Sequence, residues 1–82
     1  MTVIVAADGN VELKGSCPVE DAEVLLRHLL GKPDAAITWE GCEWAHTAVV
    51  QVLLIAKRVP VGSPGSSFLR DRVGALLKQA AL

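Results

Sequence analysis

Short β-branched apolar runs alternate along this chain with longer segments whose apolar residues recur every three or four positions. Thr2 to Ala6 is such a β-branched run, and Val11 to Leu13 alternates apolar and polar as a half-buried strand does. Between them Asp8-Gly9-Asn10 is a hairpin signal, because Gly9 and Asn10 tolerate positive φ. Gly15-Ser16-Cys17-Pro18 is expected to end the second strand. Pro18 suits the first helical position, which leaves Cys17 or Ser16 as the expected N-cap. Val19, Ala22, Leu25, Leu26, Leu29 and Leu30 then follow at helical spacing. Glu20, Asp21 and Glu23 place negative charge where the helix dipole favours it, and Gly31 and Pro33 close the helix.

Ala35 to Trp39 reads as a short buried strand, Glu40-Gly41 as a polar turn, and Glu40 to Thr47 as a loop. The run from Ala48 to Ala56 is ambiguous by period, since Val49, Val50 and Val52 also suit a strand. Its length and the preceding Thr47, an expected N-cap, favour a helix. Arg58 to Val61, containing Pro60, is expected as a last strand at a sheet edge. Ser63-Pro64-Gly65-Ser66-Ser67 is a turn and cap region. Phe68, Leu69, Val73, Leu76, Leu77 and Ala80 mark a final amphipathic helix, weakened by Gly74. The order β-β-α-β-α-β-α predicts an α/β fold with a mostly parallel sheet and right-handed crossovers. In it Val11–Leu13 and Ala36–Trp39 are adjacent parallel strands joined by the Val19–Leu30 helix.

Composition narrows the function. Eighty-two residues make room for one domain, 1–82. Hydrophobic residues are 51% of the chain and the mean hydropathy is +0.40, so either the core is dense or another chain, such as a second copy in a homodimer, covers apolar surface. A net charge of −1 with no basic patch argues against nucleic-acid binding. The Ala48–Ala56 run is interrupted by Gln51 and is too short to insert into a membrane. Without a basic n-region the chain is expected to be cytoplasmic, with Cys17 and Cys42 as reduced thiols.

The stretch Ile37-Thr38-Trp39-Glu40-Gly41-Cys42-Glu43-Trp44-Ala45-His46-Thr47-Ala48-Val49-Val50-Gln51-Val52-Leu53-Leu54 resembles the signature of the STAS domain, the sulfate-transporter and anti-sigma-factor-antagonist family. Gly41 falls on that family's loop glycine, Trp44-Ala45 on its apolar pair, and Val50–Leu54 on its buried helix. Val11-Glu12-Leu13-Lys14-Gly15 looks like its second strand, so the likeness covers roughly the first two-thirds of the chain. The family's Asp-Ser-Ser-Gly falls on His46-Thr47-Ala48-Val49. Its phosphoacceptor serine is therefore Ala48, which has no hydroxyl. The resemblance implies a small, C-terminally shortened STAS-like fold that regulates by binding a protein. The partner would be an anti-sigma-type kinase, a signalling complex or a transporter component, without the usual serine phosphoswitch.

Glu40, Glu43, Trp44, His46 and Thr47 are the candidate partner-binding residues. Trp44 either closes the core or anchors a partner, as tryptophan does at interface hot spots, whereas Trp39 is expected in the core. Glu40 and Glu43 would form an acidic rim. Thr47 is a helix cap or, failing that, the fallback phosphorylation site. Enzymatic activity is not expected: Cys42 lies four residues before His46, but Glu40 and Glu43 oppose thiolate formation. No metal or cofactor is expected either, because Cys17, His28, Cys42 and His46 lack the paired short spacings of zinc sites. The alternative reading is a small module that holds an anion or nucleotide at the helix N-terminus near Thr47.

Overall fold

The computed structural model describes residues 3–81; Thr2, expected in the first strand, lies outside them. Strands β1 (Val3–Val5) and β2 (Val11–Cys17) form an antiparallel hairpin. Gly9 takes φ +89° in its turn, and the Asp8 carboxylate accepts the Asn10 N–H at 3.0 Å. Asn10 Oδ1 in turn accepts the Ala36 N–H, and Gly9 O lies 2.7 Å from His28 Nε2. The hairpin tip is thereby tied to the elements that follow.

Helix α1 (Val19–Gly31) carries the chain from β2 to β3 (Ile37–Ala45), which pairs parallel to β2 with Val11 opposite Ile37. The parallel neighbours joined by a crossover helix are thus as the apolar pattern predicts. Helix α2 (Thr47–Ala56) follows, so the valine-rich run is helical. A π-helical turn (Leu69–Val73) then leads into α3 (Gly74–Ala81). The fold is α/β, a three-stranded mixed sheet in the order β1-β2-β3 with three helices. Among the described residues no helix is long and apolar enough to cross a membrane.

Four expectations about the elements need correction. First, β2 does not end at Gly15 but runs to Cys17. Gly15 adopts φ +62° beside an irregularity in the pairing, a conformation glycine takes at little cost, so the strand bends and continues. Second, Pro18 sits at the N-cap of α1 rather than inside it, and no side chain among the described residues caps that end. Third, Arg58–Val61 is not a strand. Val61 makes a single parallel bridge to Thr38, donating to Ile37 O at 2.7 Å and accepting from the Trp39 N–H at 3.3 Å. Pro60 has no N–H with which to extend the pairing. Fourth, Gly74 does not merely weaken the last helix. Its N–H reaches back to Leu69 O to close the π turn, and a Cβ there would lie 3.7 Å from the Trp39 ring.

All three helices pack on one face of the sheet. Val11, Leu13, Cys17, Ile37, Trp39 and Cys42 point into a core completed by residues such as Leu25, Leu53 and Leu77. Burying each large aliphatic side chain of this kind stabilises by roughly 1.5–3 kcal/mol. Trp39 is buried as expected, and its indole N–H donates to Gly62 O at 2.8 Å. The other face of the sheet carries Glu12, Lys14, Ser16, Thr38 and Glu40 and, among the described residues, has no layer over it.

Candidate functional site

The segment Glu40–Ala45 is not a loop. It belongs to β3, which is nine residues long against seven in β2. The two extra residues enter as bulges. Glu12 and Lys14 face Thr38 and Gly41, and Gly15 and Ser16 face Cys42 and Trp44. Each bulge turns two consecutive residues outward. As a result Trp39, Cys42 and Ala45 point inward at a spacing of three, while Glu40-Gly41 and Glu43-Trp44 face solvent.

The outward residues are backed by the irregular segment after α2. Gly62 has φ +90°, and a Cβ there would come within 2.4 Å of Glu40 Cγ, so the glutamate stem lies directly over it. Gly65 donates to Cys42 O at 2.8 Å, and a Cβ there would sit 3.4 Å from Glu43 Cγ. By sequence residues 63–67 read as a turn and cap region. The recurrence of glycine and proline through 60–65 was the signal that backbone passes close to another strand.

At the end of β3, His46 turns the chain into α2. Its N–H donates to Cys17 O at 2.8 Å, and its Nδ1 accepts the Ala48 N–H at 3.0 Å. Nδ1 as acceptor places the proton of the neutral ring on Nε2. His46, not Thr47, is therefore the N-cap. Thr47 is the first helical residue and is exposed, its hydroxyl one position too late to reach the second or third amide from the cap. Trp44 is 50% exposed and meets the His46 ring edge-on, with centroids 6.1 Å apart and planes at 87°. Of the two roles open to Trp44 from sequence, core closure is excluded by that exposure.

The structure thus brings Glu43, Trp44, His46 and Thr47 together where β3 meets α2, with Glu40 one bulge earlier on the same strand. Beneath them the Cys17 and Cys42 sulfurs lie 3.9 Å apart, both fully buried. The hydrogen-bonding contact with Cys17, followed by burial, pushes the Cys42 thiol far above its ordinary pKa. A sulfur so placed is a protonated, inaccessible group and no nucleophile. His28 sits at the opposite end of α1 from Cys17 and Cys42, against Gly9 O. Among the described residues no three His, Cys, Asp or Glu side chains converge as metal ligands do.

The N-terminus of α2 is poorly suited to an anion. The Ala48 N–H is taken by the His46 ring, and those of Val49 and Val50 by His46 O at 2.8 and 3.3 Å. Two of these, Ala48 and Val49, are the first-turn amides that would bind a phosphate, and both already have partners. Comparison of the chain with protein-family models, with curated proteins and with solved structures finds no match.

Proposed function

We propose that this chain is a non-enzymatic, STAS-like regulatory domain that works by binding another protein through the end of β3 and the start of α2. The observation that carries the reading is Trp44: a large aromatic, half exposed, held edge-on by His46 and flanked by the outward carboxylates of Glu40 and Glu43. An aromatic anchor in an acidic rim is the composition of a protein contact, with the ring supplying affinity and the charges selecting the partner. The resemblance of Ile37–Leu54 to the STAS signature supports the same edge and suggests an anti-sigma-type kinase, a signalling complex or a transporter component as partner. Control by phosphorylation at the family's serine position has no chemical basis here, since Ala48 offers no oxygen.

The test is retrieval of the partner from the native host with the tagged chain, wild type against a Trp44→Ala, Glu43→Lys variant. Both side chains are exposed, so circular dichroism and melting temperature should be unaltered while the copurifying partner is lost. Undiminished retrieval by the folded variant would place the contact elsewhere.

A further inference from the structure

We infer that the outer face of α1, together with the end of α2, is an interface for a second copy of this chain, packed antiparallel about a two-fold axis through the middle of α1. Val19, Leu26 and Leu30 are all exposed, Leu30 to 74%. At 100° per residue they fall within about 40° of one another around the helix, a single stripe. Ile55 of α2, 78% exposed, lies beside Leu26 and Leu30 across an open groove of about 300 Å³. Arg58, at the same groove, is held down by donating to the Pro33 and Ala35 carbonyls. In a chain of mean hydropathy +0.40 this is an apolar strip that no described residue covers.

Charge selects the occupant. The N-terminal half of α1 carries Glu20 and Glu23 on its exposed side, and the C-terminal end carries Arg27 and, just beyond it, Lys32. Lys57 and Arg58 add to the basic end. Such a face repels a copy laid parallel and matches one laid antiparallel, where the helix dipoles also oppose. With the axis between residues 24 and 25, Val19 faces Leu30 of the second copy at both ends. Arg27 comes level with the second copy's Glu23, within about one residue's rise of 1.5 Å. The Glu23–Arg27 ion pair, 2.7 Å within one chain, is highly exposed and free to be shared across the axis. The surface is thus self-complementary, which a closed dimer requires. It lies on the helical layer, away from the open sheet face, and does not depend on the partner contact proposed above.

Sedimentation equilibrium of the full chain should give twice the 8.7 kDa chain mass, and Leu30→Glu should give the monomer with unchanged circular dichroism. Orientation is read by disulfide capture with oxidised glutathione. An equimolar mixture of Val19→Cys and Leu30→Cys chains should cross-link, whereas Val19→Cys alone should not, its two copies lying about 16 Å apart along the helices. The native cysteines are buried and serve as the uncross-linked control. A wild-type chain that stays monomeric at about 0.3 mM, or a folded Leu30→Glu variant that stays dimeric, overturns the interface. Self-cross-linking of Val19→Cys overturns the antiparallel arrangement.

Discussion

Raising the pH should destabilise this protein through the buried Cys42 thiol. Cys42 is fully buried 3.9 Å from Cys17, and its folded-state pKa is raised by that contact and by burial. In the unfolded chain the same thiol ionises near its ordinary value of about 8.5. The stabilisation from holding the neutral thiol is therefore fully present below about pH 8.5 and is lost as the pH rises past that value. Above it the unfolded state binds fewer protons than the folded state, so stability falls with a limiting slope of about 1.4 kcal/mol per pH unit. Between pH 8 and pH 10 the integrated loss for one thiol is about 2 kcal/mol. A chain of this size has roughly 4–12 kcal/mol in all, so the loss is a substantial fraction.

The assay is urea denaturation followed by tryptophan fluorescence under reducing conditions at pH 8, 9 and 10. The chain has no tyrosine, so no phenol titrates in that window. The midpoint should drop by about 1–2 M urea in wild type. Cys42→Ala should be weaker at pH 8 by about 1 kcal/mol, from the lost packing, and should then lose less on going to pH 10. Equal losses in wild type and Cys42→Ala would refute the reasoning and assign the alkaline instability to other groups.

Two further expectations concern the ends of α2. His46→Ala should cost about 1 kcal/mol in urea denaturation by removing the cap on Ala48 N–H, with His46→Asn restoring most of it, whereas Thr47→Ala should cost under about 0.5 kcal/mol; the reverse ranking would return the cap to Thr47. Lys57 closes α2 with φ +55°, a left-handed conformation costly for any side chain, so Lys57→Gly should stabilise by about 0.5–1 kcal/mol, measured as a higher urea midpoint.

What could be read from the sequence depended on whether an element keeps a regular period. Helix α1 was legible because Ala22, Leu25 and Leu29 hold a helical spacing with acids at the front. The hairpin was legible because Asp8-Gly9-Asn10 has one good use. The second half of β3 was not, since inward residues at 39, 42 and 45 mimic a non-strand period, and only a strand with two bulges produces that pattern. The cap at α2 was misplaced by one residue because threonine outranks histidine as a cap in general. Here the backbone turns at His46, whose ring nitrogen can do the same work. The five candidate site residues fall on one edge, but as strand and helix end. Trp44 is thereby held on a fixed frame, not a flexible loop.

The bulges in β3 also restrict how the length of this strand can vary. Side chains in a strand alternate, so a residue added to a regular stretch inverts the facing of everything after it, whereas a bulge absorbs the addition by turning two consecutive residues outward. Between the two bulges the strand runs out of phase: Ile37, Trp39 and Ala45 point inward at odd positions, but Cys42 does so at an even one. Removing one residue at Glu40-Gly41 would leave a single outward residue between Trp39 and Cys42, restoring plain alternation with the Cys42 sulfur still inside and Gly15 still its partner. Removing one residue from each bulge would keep both ends in phase. The strand should therefore accept the loss of one residue at either bulge far better than the loss of Cys42 between them, which would bring the Glu43 carboxylate into the place of a buried thiol.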